Sequence, residues 1–173
     1  LNNTYAIAVT RATAEKYNLE TVSDLIPIAG ELVFGGEHEF FSQEGSMRFN
    51  PFSSFYGLKF KDIKPIDINL KYSAMESGNI DVTIAYATDG MNKKAQLKIL
   101  RDDRRFFPEY NGAILVRDDL FTRMQSQAPN LEEVMNRLGG LFTDEIMTDL
   151  SYAVDVDGRG MDEVAREFMK SKN

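Results

Sequence analysis

Three tyrosines stand where the chain could turn ring faces toward a common space. Tyr86 ends the apolar run Asp81-Val-Thr-Ile-Ala-Tyr86, Tyr110 lies just beyond the run Leu97-Lys-Ile-Leu100, and Tyr5 opens a third run near the start. Asp89, in the polar turn Thr88-Asp89-Gly90, falls between the first two. In open α/β sheets, ligands gather outside the carboxyl ends of strands. Tyrosine faces around such a cavity suit a quaternary ammonium, which the ring quadrupole attracts by up to ~2 kcal/mol per desolvated contact. The alternative is that these tyrosines are half-buried rim residues, that Phe34, Phe40 and Phe41 fill a core, and that Asp89-Gly90 is ordinary turn chemistry.

Other chemistry is thinly represented. His38 is the single histidine, flanked by Glu37 and Glu39, and a metal centre needs two or three further convergent ligands. With no cysteine and one imidazole, a nucleophile–base set has only one candidate base, and no serine is placed beside it. The pairs Asp102-Asp103 and Asp118-Asp119 are adjacent in sequence, so their side chains diverge. Gly35-Gly36 lacks the spacing and the Lys-Ser/Thr of a phosphate loop. No enzyme activity and no cofactor are expected.

Elements that alternate between strand and helix must position the tyrosines. Strands are expected over 5–9, 31–34, 66–68 and 81–86, with Gly35-Gly36 closing the second. Short helices are expected over 11–18, 50–56 and 70–77, the last two stopped by Gly57 and Gly78. Ser23 or Asp24 offers a cap for a further turn. This alternation is the signature of an α/β sheet with crossover helices. Past Gly90 the texture changes: strands are expected over 97–100 and 113–116. The remainder reads as helix, over 119–127, 131–138, 144–152 and 162–170, with apolar residues three and four apart. A division between two bodies is expected around 88–96.

The 173 residues are 43% hydrophobic and 27% charged, ordinary for a globular chain. A net charge of −7 disfavours nucleic acid and anionic membranes as partners, and Asp102 and Asp103 largely cancel the small basic cluster of Arg101, Arg104 and Arg105. The absence of cysteine excludes disulfides. No run approaches the ~18 apolar residues of a membrane helix. The opening Leu1-Asn2-Asn3-Thr4 carries neither an initiator Met nor a signal peptide, from which a truncated or processed chain is expected.

Several segments follow one another in the order of one family: Asn2-Asn3-Thr4-Tyr5-Ala6, Gly57-Leu-Lys-Phe-Lys-Asp-Ile63, Ala85-Tyr-Ala-Thr-Asp-Gly90, and Leu97-Lys-Ile-Leu-Arg-Asp-Asp-Arg-Arg-Phe-Phe-Pro-Glu-Tyr-Asn-Gly-Ala113. With Thr143-Asp-Glu-Ile-Met-Thr-Asp-Leu-Ser-Tyr152 and Val164-Ala-Arg-Glu-Phe168, the chain resembles the substrate-binding component of osmoprotectant ABC importers, which bind glycine betaine, carnitine or choline. The resemblance implies an α/β, type II periplasmic-binding-protein-like fold, with one complete lobe plus the C-terminal part of the other. Residues 1–88 would form the second lobe, and 89–173 the hinge return and the mostly helical C-terminal part of the first. Most of the family's first lobe has no counterpart here, so an incomplete pocket or a compensating dimer is expected.

By the same resemblance, Tyr5, Tyr86 and Tyr110 match cage tyrosines and Asn3 a polar contact beside them. Asp89, at the hinge turn, would position the cage or touch the ligand. Where the family often carries an arginine that clamps a ligand carboxylate, this chain has Gln43, with Arg48 five residues on. That departure favours choline, or a differently shaped betaine such as ergothioneine. The implied role is capture of a small quaternary-ammonium solute outside the cytoplasm, on a lipid anchor or fused to a permease, for delivery to ABC permease subunits. The rival reading is an effector-sensing module of a regulator on the same scaffold.

Overall fold

A computed structural model describes residues 1–68 and 70–172. Its centre is a mixed sheet of five strands in the order β3-β2-β4-β1-β5. The strands are β1 (Tyr5–Thr10), β2 (Val33–Glu37), β3 (Asp62–Ile66), β4 (Val82–Tyr86) and β5 (Leu97–Leu100). β2 runs parallel to both β3 and β4, whereas β1 is antiparallel to β4 and β5.

Alternation along the strands divides the apolar residues between two faces. Ile7, Val9, Phe34, Val82, Ile84 and Leu100 face a core shared with Leu25, Phe40, Phe49, Phe52 and Tyr56. Ala8, Ala85 and Leu97 face the other side, with Tyr72, Met75 and Ile80. The first core is covered by α1 (Arg11–Tyr17), α2 (Phe49–Tyr56) and the 3-10 turns Val22–Leu25 and His38–Phe41. The second is covered by α3 (Lys71–Glu76) and α4 (Gly90–Lys94).

Gly35 and Gly36 do not close β2 as expected but continue it. A Cβ on Gly35 would lie 2.5 Å from Ile80 Cδ1, and one on Gly36 would lie 2.9 Å from Ile84 Cγ2. The bare backbone lets those isoleucines lie against the strand. The third strand also starts earlier than expected, at Asp62 rather than residue 66.

The helix α4 was not anticipated in the polar link after Gly90. It forms because the Asp89 side chain accepts from the Met91 N–H, an N-cap, and because Lys93 and Lys94 stand in its last turn. Gly90 then packs so closely on the helix Asp144–Asp155 that an added Cβ would meet the Tyr152 nitrogen at 2.5 Å.

The C-terminal part contains α5 (Leu120–Met124), α6 (Leu131–Asn136), α7 (Asp144–Asp155) and α8 (Met161–Lys170). The expected strand over 113–116 does not form. Strands are made by ladder partners, and among the described residues this segment has none; the isolated bridge Asn2–Asn111 ends two residues before it. Leu115 is 99% exposed, and Leu1, Ile114, Val116, Phe121, Leu138 and Phe142 help line an open apolar cavity of about 670 Å³. No described helix is long and apolar enough to cross a membrane.

Candidate binding site at the strand ends

The antiparallel register sets Tyr5, the first residue of β1, opposite Tyr86, the last of β4. Cross-strand neighbours lie close enough for ring contact, and the two ring centroids are 5.2 Å apart with planes tilted by 32°. Phe40 and Phe107 hold Tyr5 from behind, edge-on at 5.8 and 6.0 Å. Burial, reinforced by the neighbouring Tyr5 phenol, pushes the Tyr86 hydroxyl above the ordinary phenol range. Tyr86 therefore stays neutral at any physiological pH.

Phe107 owes its position to Asp102. That carboxylate accepts from the backbone N–H groups of Phe106 and Phe107 at 3.1 and 2.8 Å and from the Tyr56 hydroxyl. Asp103 turns away to accept from the Ser23 N–H at 3.1 Å. The two acids diverge as expected, and both organise loops.

Tyr110 reaches the same end of the sheet through its backbone. The Asn3 N–H donates to the Tyr110 carbonyl at 3.0 Å, and the Tyr110 N–H donates to Asn2 Oδ1 at 2.7 Å. Its ring, however, is 68% exposed and stacks on no other aromatic among the described residues. The Asn3 side chain accepts from the buried Thr88 hydroxyl at 2.8 Å, tying the β1 entry to the turn after β4. The structure thus brings together two of the three tyrosines as rings and the third as backbone.

Asp89 is engaged elsewhere. It caps α4 and accepts the Tyr72 hydroxyl, whose burial and Asp89 contact push its phenol above the usual range. Asn92 completes this small network, donating to the Tyr86 carbonyl at 2.8 Å. Gln43 is exposed in the loop after β2. Arg48 is less exposed and reaches back, donating to Glu39 Oε1 at 2.8 Å and to the Glu44 carbonyl at 3.1 Å. Burial opposes its charge, but Glu39 and the Tyr5 phenol outweigh this and hold the guanidinium above its usual value. Arg48 thus lies within electrostatic reach of Tyr5.

His38 is exposed, and no cluster that could hold a metal occurs among the described residues. Sequence reasoning passed over Tyr72, Glu37 and Lys71, which lie at the same end of the sheet. A lysine inside the expected helix 70–77, with an apolar neighbour on each side, was the available signal.

The mixed α/β sheet thus carries the Tyr5–Tyr86 pair at the ends of its inner strands β1 and β4. The sequence profile of the substrate binding domain of the ABC-type glycine betaine transport system matches residues 1–171, and the chain belongs to that family. It is 36% identical over 171 residues to the carnitine transport binding protein OpuCC of Listeria monocytogenes, covering 99% of this chain and 54% of that protein. It is 34% identical over 169 residues to the ergothioneine transport permease/ergothioneine binding protein EgtU of Helicobacter pylori, covering 98% of this chain and 30% of the relative. A crystal structure of a glycine betaine/carnitine/choline ABC transporter superposes with a TM-score of 0.87 at 36% identity, over 98% of this chain and 60% of that one. The chain thus spans about half the length of the carnitine-binding relative. These relatives are transport proteins, not enzymes.

Proposed function

We propose that this chain is part of the solute-binding component of an ABC importer that captures a small quaternary-ammonium compound of the choline, glycine betaine or carnitine class. The observation that carries the proposal is the half-buried Tyr5–Tyr86 pair at the ends of the inner strands β1 and β4. Two phenol faces held by strand register and backed by Phe40 and Phe107 are preorganised for a methylated cation. Asn3 and Tyr110 flank the pair, and closure of a second body would bring the exposed Tyr110 ring and a carboxylate contact from Arg48 onto the solute.

In this reading the sheet, with β5, is one lobe, and α5 to α8 belong to the other. The carnitine-binding relative is about twice as long as the segment matched. The remainder of that lobe would cover the apolar cavity beside Ile114 and Leu115, where a dimer is the alternative cover. Doubled mass by light scattering would favour the dimer. Permease subunits are the partners and the outer side of the membrane the location, by likeness to the family. The identity to an ergothioneine-binding relative and the Gln43 substitution favour including that bulkier betaine among the candidates.

The test is a thermal-shift screen of choline, glycine betaine, carnitine, proline betaine and ergothioneine. A true solute raises the midpoint with concentration. No shift with any of the five would overturn the proposal.

A further inference from the structure

Lys71 is the one fully buried lysine among the described residues, with 0% side-chain exposure. Its Nζ donates to Glu37 Oε1 at 2.6 Å and lies 5.0 Å from the centre of the Tyr72 ring. Glu37 is the last residue of β2, and the register Gly35↔Thr83 brings it level with Ala85, one residue short of Tyr86. The pair therefore has a direction. Its carboxylate, 13% exposed, lies at the end of β2 on the sheet face of Ala85, where it acts electrostatically on the Tyr86 phenol, and its ammonium is fully buried at the start of α3. The other charged pair at this end of the sheet, Arg48–Glu39, turns the opposite way: the arginine is the more enclosed member, and Glu39 faces solvent.

We propose that the Lys71–Glu37 pair sets the charge selectivity of the site, presenting its negative end to the solute while the buried ammonium limits how strongly that end attracts a cation. The inference rests on the solute-binding reading above. Burying two charges is unfavourable unless each is matched, and at this position a hydrophobic pair would serve packing equally well. The orientation of the charges is what a packing role leaves unexplained.

The test measures the ratio of choline to glycine betaine affinity by calorimetry at fixed pH and ionic strength. Choline carries a net positive charge and betaine none. Lys71→Met leaves Glu37 unopposed and should raise the ratio about fourfold; Glu37→Gln leaves Lys71 unopposed and should lower it by about as much. Lys71→Arg, which keeps the charge, should restore the original ratio. Shifts in opposite directions are the signature that a merely structural pair would not produce. If Lys71→Met fails to fold, the downward shift in Glu37→Gln decides the matter alone. Unmoved ratios, or shifts in the same direction, would overturn the assignment while leaving solute capture intact. An unmodified chain that binds neither choline nor glycine betaine would overturn the assignment, and one that also binds none of the other three solutes would overturn solute capture as well.

Discussion

Tyr5 and Tyr86 face each other across β1 and β4 with ring centroids 5.2 Å apart. Neither would hold its orientation alone, because each occupies a strand terminus where the ladder ends. Tyr5 is fixed by Phe40 and Phe107, and Tyr86 is fixed largely by Tyr5. Replacing Tyr86 with Ala should therefore weaken solute binding by about 1–2 kcal/mol. Tyr86→Phe, which keeps the ring, should retain most of the affinity. Calorimetric titration of both variants checks this, and unchanged affinity in Tyr86→Ala removes that residue from the site.

Arg48 tests which kind of solute is bound. Its guanidinium lies within electrostatic reach of Tyr5 while Gln43 is exposed. Arg48→Gln should lower affinity for a carboxylate-bearing solute about tenfold, since a charge-assisted bond contributes on the order of 1.5 kcal/mol, and should affect choline far less. Equal losses for both solutes would mean that Arg48 acts only by holding its loop through Glu39 and Glu44.

The joint between α4 and α7 depends on Gly90. A side chain there would meet the Tyr152 and Ser151 backbone, at 2.5 Å from the Tyr152 nitrogen and 2.9 Å from the Ser151 carbonyl carbon, and neither helix can give way without moving as a body. Gly90→Ala should cost about 1–3 kcal/mol by overpacking. Asp149→Ala, which removes the exposed Lys93–Asp149 ion pair at the same joint, should cost markedly less. Urea unfolding of the two variants separates packing from surface charge.

The capping box of the first 3-10 turn has a pH signature. Asp24 accepts from the Glu20 and Thr21 N–H groups at 2.9 and 2.7 Å, and these bonds hold its carboxyl below the usual range. A folded-state value below the unfolded one gives stability that is present above the unfolded value, about 3.9, and is lost as pH falls through the folded one. Asp24→Asn should flatten the acid limb of the stability curve below about pH 4 while changing its slope little near neutrality. Denaturant midpoints across that range provide the measurement.

Local chemistry made much of this chain legible from residue order. Period-two runs place β1, β4 and β5, and glycines at 57 and 78 end α2 and α3. The spacing of apolar residues marks α5 to α8, and the motifs around Tyr5, Tyr86 and Tyr110 carry the family likeness. Each of these signals is written within a few residues of the element it forms. What the sequence withheld depends on partners distant in the chain. Asp89 caps α4 and accepts the Tyr72 hydroxyl, and the second of these partners is seventeen residues away in the chain. Residues 113–116 have strand composition but no neighbouring strand to bond. The direction of the Lys71–Glu37 pair exists only because parallel β2 delivers Glu37 to the end of the sheet where antiparallel β1 delivers Tyr5. Composition and short-range pattern determined the elements, while strand order and register decided which side chains meet, because contacts between segments far apart in sequence arise only when the sheet assembles.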